Sequence, residues 1–395
     1  MTKRSRRARY AFAALGVALS VGVTIPLVAS AKPSVAPHAN TQKEVENARS
    51  GGYAPGAAVT AGDNNGLWSV HSGQAALFGK PIQSGDQVRV GSLSKLFTST
   101  MTLQLVAERR VDLDGPVERY LPGVVKGDHD GNKITIRNLL NHTSGIPDFL
   151  NTAFDPFKQL KPHTLAEVAG WGLSQKSLGA PGSVHAYSGT GYVLLGMVIE
   201  KVTGRSFSAE LADRFVRPLG LTGTSLPTPG DKSMDGPQVR GHVGQVLYAD
   251  VTEVVEPSIG AMSGGMVSTG TDMAKFAQAL ATGKLLPPHL MAEMRKPNGA
   301  PVGDPHYGLG LIRYPLPCGG EAWGHPGIWP GYQTVAAATD DGRTAFVVVN
   351  NLSIEDLIAM LGLPQSSSGG SGSGSSGGGN GNRYTALGAA LCEPR

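Results

Sequence analysis

The sequence predicts an α+β fold: an antiparallel sheet built from both chain ends and flanked by helices, with a mostly helical subdomain inserted between them. Three observations carry this. Ala57–Ala61 and Leu67–Val70 flank Asp63-Asn64-Asn65-Gly66, and an Asn-Gly turn between two such runs marks a hairpin. Gln333–Ala338 and Thr344–Val349 flank Asp340-Asp341-Gly342 in the same way near the other end. Between the hairpins lie helix-like stretches, Leu93–Arg110, Tyr192–Lys201 and Asp272–Leu280, joined by long Gly/Pro-rich loops, and no internal repeat is visible.

Taken in order, the chain opens on a basic segment (Met1–Tyr10), an apolar stretch (Ala11 to Val28) and the small-residue run Ala29-Ser30-Ala31. This is the layout of a secretory signal, residues 1–31, with cleavage after Ala31; the rival reading is a retained membrane anchor. Arg6-Arg7 permits a twin-arginine route. No other apolar run is long enough to span a bilayer, so the mature protein is expected to be extracytoplasmic, off the membrane and monomeric. Residues 32–40 read as a tether and Thr41–Arg49 as a short helix within the main domain, 32–365. Ser366–Asn382 contains only Ser, Gly and Asn and reads as a flexible linker. The last segment, 383–395, carries a short helix with Leu387, Ala390 and Leu391 on one face. Cys318 and Cys392 are the only cysteines; in an oxidising compartment such a pair is expected to bridge, tying the tail back onto the domain, and the rival reading is two isolated buried thiols.

Charge excludes one class of partner. The chain has 34 basic and 30 acidic residues and a formal net charge of +4, but five of the basic residues lie in the first ten positions. The body of the protein is therefore close to neutral and has no field to attract a phosphate backbone, so no nucleic acid is expected as partner. At 40% hydrophobic the composition is globular rather than disordered.

The chemistry centres on Val88-Arg89-Val90-Gly91-Ser92-Leu93-Ser94-Lys95-Leu96-Phe97, which reads as a strand, a glycine turn and the start of a helix. Residues three apart share a helix face, so the Lys95 amine can reach the Ser92 hydroxyl. A serine hydroxyl needs a neighbouring base to become a nucleophile, and burial lowers a lysine pKa far enough for that task. Backbone N–H groups of the first helical turn can polarise an oxyanion. Gly374-Ser375-Ser376-Gly377-Gly378 fits a hydrolase elbow by letter but lies in the low-complexity tract, without strand or helix. Asp128-His129-Asp130 lacks a partner at ligand spacing, so no metal or cofactor is expected.

Further along, Ala186-Tyr187-Ser188-Gly189 places a tyrosine in a loop before a helix, and Trp323-Gly324-His325-Pro326-Gly327 places a histidine on a strand. With these in order, the sequence resembles the penicillin-recognising serine hydrolases, specifically the class C β-lactamase and D-alanyl-D-alanine carboxypeptidase group. The matching elements are Ser-x-x-Lys at 92–95, Tyr-Ser-x at 187–189 and His-x-Gly at 325–327. Leu139–Pro147, Ser263–Thr269 and Tyr307–Gly310 also look like the family, and the resemblance spans roughly residues 50–350. It implies a β-lactamase/transpeptidase-like fold and an acyl-enzyme mechanism on a small peptide, β-lactam or ester. Ser92 would attack, Lys95 and Tyr187 would share the proton, and the N–H groups of Ser92 and Ile328 would form the oxyanion hole. His325 would tune the Tyr187 proton and add positive potential. Gly189, Gly327 and Trp329 would lie at the substrate, Trp329 either packing the core or lining the pocket. His142 and His185 are read as structural.

The departures narrow the substrate. Relatives usually carry Asn where this chain has Gly189, and hydroxyl residues where it has Pro326 and Ile328, so donors to a substrate carboxylate are missing. Strand alternation is expected to aim Arg313 at the opposite face, leaving Ile312 at that end. A D-alanyl peptide or β-lactam is the first expectation. The alternatives are an ester, amide or transacylation substrate without a terminal carboxylate, and a slow-turnover, penicillin-binding relative.

Overall fold

The computed structural model describes residues 37–151, 160–302, 304, 306–360 and 381–393. The signal segment, the first part of the tether and the linker up to residue 380 lie outside the described residues. Six strands form one antiparallel sheet: β1 (Gly56–Asp63), β2 (Gly66–Gly73), β3 (Ile312–Pro315), β4 (Glu321–Trp329), β5 (Tyr332–Ala338) and β6 (Thr344–Val349), in the order β2-β1-β6-β5-β4-β3. The helices that matter here are α1 (Ala39–Gly51), α2 (Ser94–Ala107), α3 (Gly189–Thr203), α4 (Pro257–Gly264), α5 (Gly270–Ala281) and α6 (Gly381–Cys392).

Both hairpins form where the turn residues require them. The Asn65 N–H donates to the Asp63 carboxylate at 2.7 Å, closing the first turn. Gly342 holds φ at +91° in the second, a conformation that L side chains rarely adopt. The chain ends meet in register, Ala57 opposite Val349 and Ala61 opposite Ala345, so the two hairpins become neighbours in one sheet.

Each face of the sheet buries its own core. Val59, Val347, Ala337, Val45, Leu387 and Leu391 pack on the side covered by α1 and α6. On the other side Val348, Phe346 and Ala336 meet Leu93, Phe97 and Phe276 from α2, α5 and their approaches. Alternate residues of one strand face opposite cores, the period-two signature of a sheet buried on both sides.

Two segment boundaries move. The tether does not run to residue 40: α1 begins at Ala39, and His38 stacks on Trp68 with ring centroids 3.6 Å apart. Nor does the linker run to residue 382, because Gly381 and Asn382 open α6, and the Asn382 amide donates to the Asn47 carbonyl at 2.9 Å. The bridge between Cys318 and Cys392 is formed. Just beyond it, the Glu393 carboxylate accepts the Asn40 N–H at 3.1 Å and the Thr41 N–H at 3.3 Å. A carboxylate from the end of the chain thus caps the helix at its start, complementing the free N–H groups and the dipole there.

Candidate active site

A short ribbon, Gln87–Arg89 paired with Val267–Thr269, delivers the chain to Gly91. There φ is +57°, and a Cβ would stand 2.4 Å from the Ile328 carbonyl oxygen, so only glycine lets this turn lie against β4. Ser92 sits in a single 3₁₀ turn, Gly91–Leu93, and α2 starts two residues after it. The Lys95 Nζ lies 3.3 Å from the Ser92 hydroxyl and donates to the Ser263 carbonyl at 2.8 Å. That carbonyl is aimed by α4, which is broken at Ala261 (φ 39°, ψ −133°), a strained conformation for a non-glycine residue. Lys95 is buried, and burial lowers its pKa to about 7 although the Asp148 carboxylate pulls it upward. A lysine so poised is partly neutral at physiological pH and can take a proton from Ser92.

Tyr187 closes the third side. The Ser92 hydroxyl acts on its phenol, drawing the pKa down against burial, and the Lys95 ammonium lies 4.7 Å from its ring centroid. The residue is 42% exposed, yet desolvation holds its phenol well above its ordinary pKa. Ser92, Lys95 and Tyr187, separated by up to 95 positions in the chain, therefore meet as one cluster.

His325 is brought to the same cluster but with a different electrical character. It is buried, and desolvation together with the Lys95 charge lowers its pKa to about 3, so it is neutral and adds no positive potential. Its ring centroid is 6.3 Å from that of Tyr187, and its Nε2 is engaged by the Tyr307 hydroxyl at 3.0 Å. Tyr307 also meets His142 Nε2 at 2.9 Å. The His142 Nδ1 in turn accepts the Ser188 N–H at 3.1 Å, which anchors the loop carrying Tyr187. His142, read as structural from the sequence, is buried and tied to both sides of the site; His185 packs edge-on to it at 5.9 Å.

The edge of β4 supplies backbone donors. Trp329 and Tyr332 bracket a two-residue turn, so Trp329 and Gly327 exchange hydrogen bonds with β5 and the Ile328 N–H between them faces away from that strand. Among the described residues β3 pairs only as far as Gly324, and beyond it β4 runs beside Gly91. Pro326 contributes no N–H.

Three substrate positions change meaning. Trp329 is buried: its ring packs beside Gly260, whose Cβ would stand 2.6 Å from it, and under Arg89 at 5.8 Å, so it belongs to the core rather than the pocket. Gly327 faces Val90 and Thr334, where a Cβ would meet the Val90 carbonyl at 2.0 Å; it is a packing glycine. Gly189 does lie at the cluster, but a Cβ there would stand 2.6 Å from Phe149, 3.1 Å from the Ser263 hydroxyl and 3.3 Å from the Asp148 carboxylate. Its N–H donates to Asp148 at 2.7 Å. The space of the absent amide is occupied, and a carboxylate stands beside it.

Arg313 is also corrected. It pairs with Trp323, two residues before His325, and so shares the His325 face, whereas Ile312 pairs with Gly324 on the other face. The guanidinium is engaged by Glu321 at 2.7 Å and by His306 at 3.1 Å.

Sequence reasoning missed Asp148 and the roles of Ser263 and Tyr307, which it had named only within family-like stretches. Asp148 and Ser263 act here through oxygens that the fold brings from distant segments, and Tyr307 was legible only as part of a family-like stretch.

Comparisons with known proteins agree on the fold. The family model described as Beta-lactamase matches residues 42–358. The chain is 28% identical over 288 residues to penicillin-binding protein 4* of Bacillus subtilis (strain 168), covering 69% of this chain and 62% of that protein. It is 30% identical over 251 residues to penicillin-binding protein 4 of Amycolatopsis lactamdurans, covering 61% and 63%. The chain thus spans less than two thirds of the length of these curated relatives. Among solved structures, a D-stereospecific amidohydrolase from Streptomyces sp. superposes with a TM-score of 0.72 at 37% identity, covering 80% of this chain and 94% of that one. The D-amino acid amidase from Ochrobactrum anthropi SV3, complexed with D-phenylalanine, gives 0.70 at 27% identity, covering 80% and 91%. With the sheet, the inserted helices and the family match in agreement, the chain belongs to the Beta-lactamase family, the penicillin-recognising serine hydrolases.

Proposed function

We propose that the protein is an exported serine hydrolase that acylates Ser92 and releases an amine from the amide of a D-amino acid or short D-alanyl peptide lacking a free carboxylate on the leaving side. The observation that carries it is the buried Lys95 amine, held near neutral pKa 3.3 Å from the Ser92 hydroxyl. Ser92 attacks the carbonyl carbon as its proton passes to Lys95. The charge that develops on the carbonyl oxygen is met by the N–H groups of Ser92 and Ile328. The proton then reaches the leaving nitrogen through the Tyr187 hydroxyl, and water attacks the acyl-enzyme by the reverse route. Side chains and backbone supply every step, so the mechanism calls for no metal or cofactor.

The substrate side of the reading rests on the cleft's donors. Pro326 and Ile328 stand where hydroxyl residues would grip a carboxylate, and Arg313 is already engaged by Glu321. The names of the two amidase structures point the same way. The extracytoplasmic setting rests on the signal-like leader and the Cys318–Cys392 bridge. No helix among the described residues is long and apolar enough to cross a membrane.

A second reading, D-alanyl-D-alanine carboxypeptidase or β-lactamase, is favoured by Arg313, which lies on the His325 face and becomes available for a carboxylate if Glu321 releases it. Intact-mass measurements with a penicillin, beside hydrolysis of D-phenylalanine amide and of a D-alanyl-D-alanine peptide, separate the two. Amide hydrolysis without a penicillin adduct supports the amidase, and a penicillin adduct or terminal D-alanine release supports the second reading. Full activity of Ser92→Ala on every substrate would refute both.

A further inference from the structure

We propose that Arg383 is a positioning residue that polarises the Gly327–Ile328 peptide group, so that the C-terminal helix completes the oxyanion site. Arg383 lies in α6, beyond the Ser/Gly/Asn tract and beyond residue 358, where the family match ends. Its side chain is 3% exposed, yet among the described residues no carboxylate pairs with it. Its Nη1 donates to the Gly327 carbonyl at 3.3 Å and its Nη2 to the Tyr384 hydroxyl at 3.1 Å, while its Nε has no partner among the described residues. A buried guanidinium without a counter-charge is costly, and the partial negative charge it faces here is a backbone carbonyl.

That carbonyl belongs to the peptide group whose nitrogen is Ile328. The peptide is trans and planar, so the Gly327 oxygen and the Ile328 hydrogen point in opposite directions: the first toward β5 and Arg383, the second away from β5, on the side of Ile328 where the Gly91 turn lies. A charge-assisted bond to the oxygen draws electron density through the amide and makes the hydrogen a stronger donor. When an oxyanion accepts from that hydrogen, the carbonyl oxygen becomes more negative and its bond to Arg383 strengthens. The interaction therefore grows toward the transition state and belongs in kcat rather than KM. The bridge at Cys392 and the Glu393 cap on α1 hold the helix that carries it.

The inference rests on the acyl-Ser92 reading, and the test keeps the two apart. The mature full-length protein and its Arg383→Met and Arg383→Gln variants are checked for folding by circular dichroism. Each is then assayed with a p-nitrophenyl ester for kcat and KM, and the carbonyl stretch of the acyl-enzyme is recorded by infrared difference spectroscopy. The expected result for Arg383→Met is a kcat lower by about three- to tenfold, a fraction of the roughly 10²–10³ that loss of a whole oxyanion donor costs. KM stays within about twofold, and the acyl carbonyl band moves to higher wavenumber. Arg383→Gln moves both in the same direction by less, and it serves alone if the methionine variant does not fold. A folded variant with an unmoved carbonyl band overturns the proposal, whatever its kcat. Failure of the wild-type protein to form any acyl-enzyme, or full turnover by Ser92→Ala, would instead refute the mechanism beneath it.

Discussion

The Nε2 atom of His325 lies 3.0 Å from the Tyr307 hydroxyl, and this contact fixes the protons of a chain that crosses the site. The Ser188 N–H occupies His142 Nδ1 as acceptor, so His142 carries its proton on Nε2 and donates it to Tyr307. Tyr307 is left with one O–H to give, and His325 Nε2 receives it; His325 Nδ1 then donates to the Pro326 carbonyl. Tyr307→Phe strands a buried N–H on His142 and a buried lone pair on His325. The expected cost is about 2–3 kcal/mol in denaturant unfolding, with a loss of order in the Tyr187 loop. Unchanged stability would mean that the chain is not formed.

Activity should rise with pH through the titration of Lys95. The neutral amine is the base, and its pKa is lowered to about 7, so kcat/KM climbs through that value and levels off above it. His325 is neutral throughout this range because burial holds it at about 3. His325→Gln should therefore lower the plateau without moving the midpoint. A midpoint that shifted by a full unit in this variant would show that the histidine, not the lysine, sets the profile.

Stability carries the opposite signature of the same group. Lowering the Lys95 pKa from 10.5 to about 7 means that the folded state disfavours the charge. Below pH 7 both folded and unfolded chains hold the proton and the full cost applies, on the order of 3–5 kcal/mol at 1.36 per unit. As pH rises from 7 to 10.5 the unfolded chain binds more protons than the folded one, so stability increases and the cost disappears. Lys95→Met should thus be inactive and more stable than wild type at pH 6, with the gap closing toward pH 10. A gap that stayed constant with pH would contradict the buried, charge-averse lysine.

Restoring the family's usual amide at position 189 should fail. Even a Cβ at Gly189 would meet Phe149 at 2.6 Å and crowd Asp148, so Gly189→Asn must displace an aromatic ring that the core already holds. The expected outcome is a loss of about 1–3 kcal/mol and no gain of D-alanyl-D-alanine hydrolysis. A stable variant with new carboxypeptidase activity would show that the pocket adapts where its geometry says it cannot.

Sequence legibility divided along contact range. The hairpins at Asn65-Gly66 and Asp341-Gly342 were readable because a turn specifies its own neighbours, and Ser92 with Lys95 because three residues of helix set their spacing. Ile328 was placed only by its family position; its N–H faces away from β5, and its role in the oxyanion hole stays a proposal. Arg313 was assigned to the wrong face because alternation gives two sets of residues but not which set faces the core; only the pairing with Trp323 decides that. Asp148 and Ser263 reach the Lys95 side of the site, and Arg383 reaches the Gly327 carbonyl, from separate elements, and spacing in the chain does not announce these encounters. The neutrality of His325 follows from burial, which is a property of the assembled core.

The pairing of Arg313 with Glu321 gives the sharpest test of substrate choice. Both side chains are partly exposed, 39% and 41%, so their ion pair contributes little to stability, about 0–1 kcal/mol. Its consequence is instead to occupy a guanidinium that shares the His325 face. Glu321→Gln keeps the side chain's size and removes its charge, leaving Arg313 free to meet an anion. The fold should be unaffected, and amides without a carboxylate should be hydrolysed as before. Substrates ending in a free carboxylate should gain, with KM falling about three- to tenfold, the scale of one exposed charge-assisted contact, and the gain should fade as salt is raised. Arg313→Met added to Glu321→Gln should abolish it. If KM for carboxylate-terminated peptides does not respond to either change, Arg313 lies outside the substrate's reach, and discrimination against carboxylates rests on Pro326 and Ile328 alone.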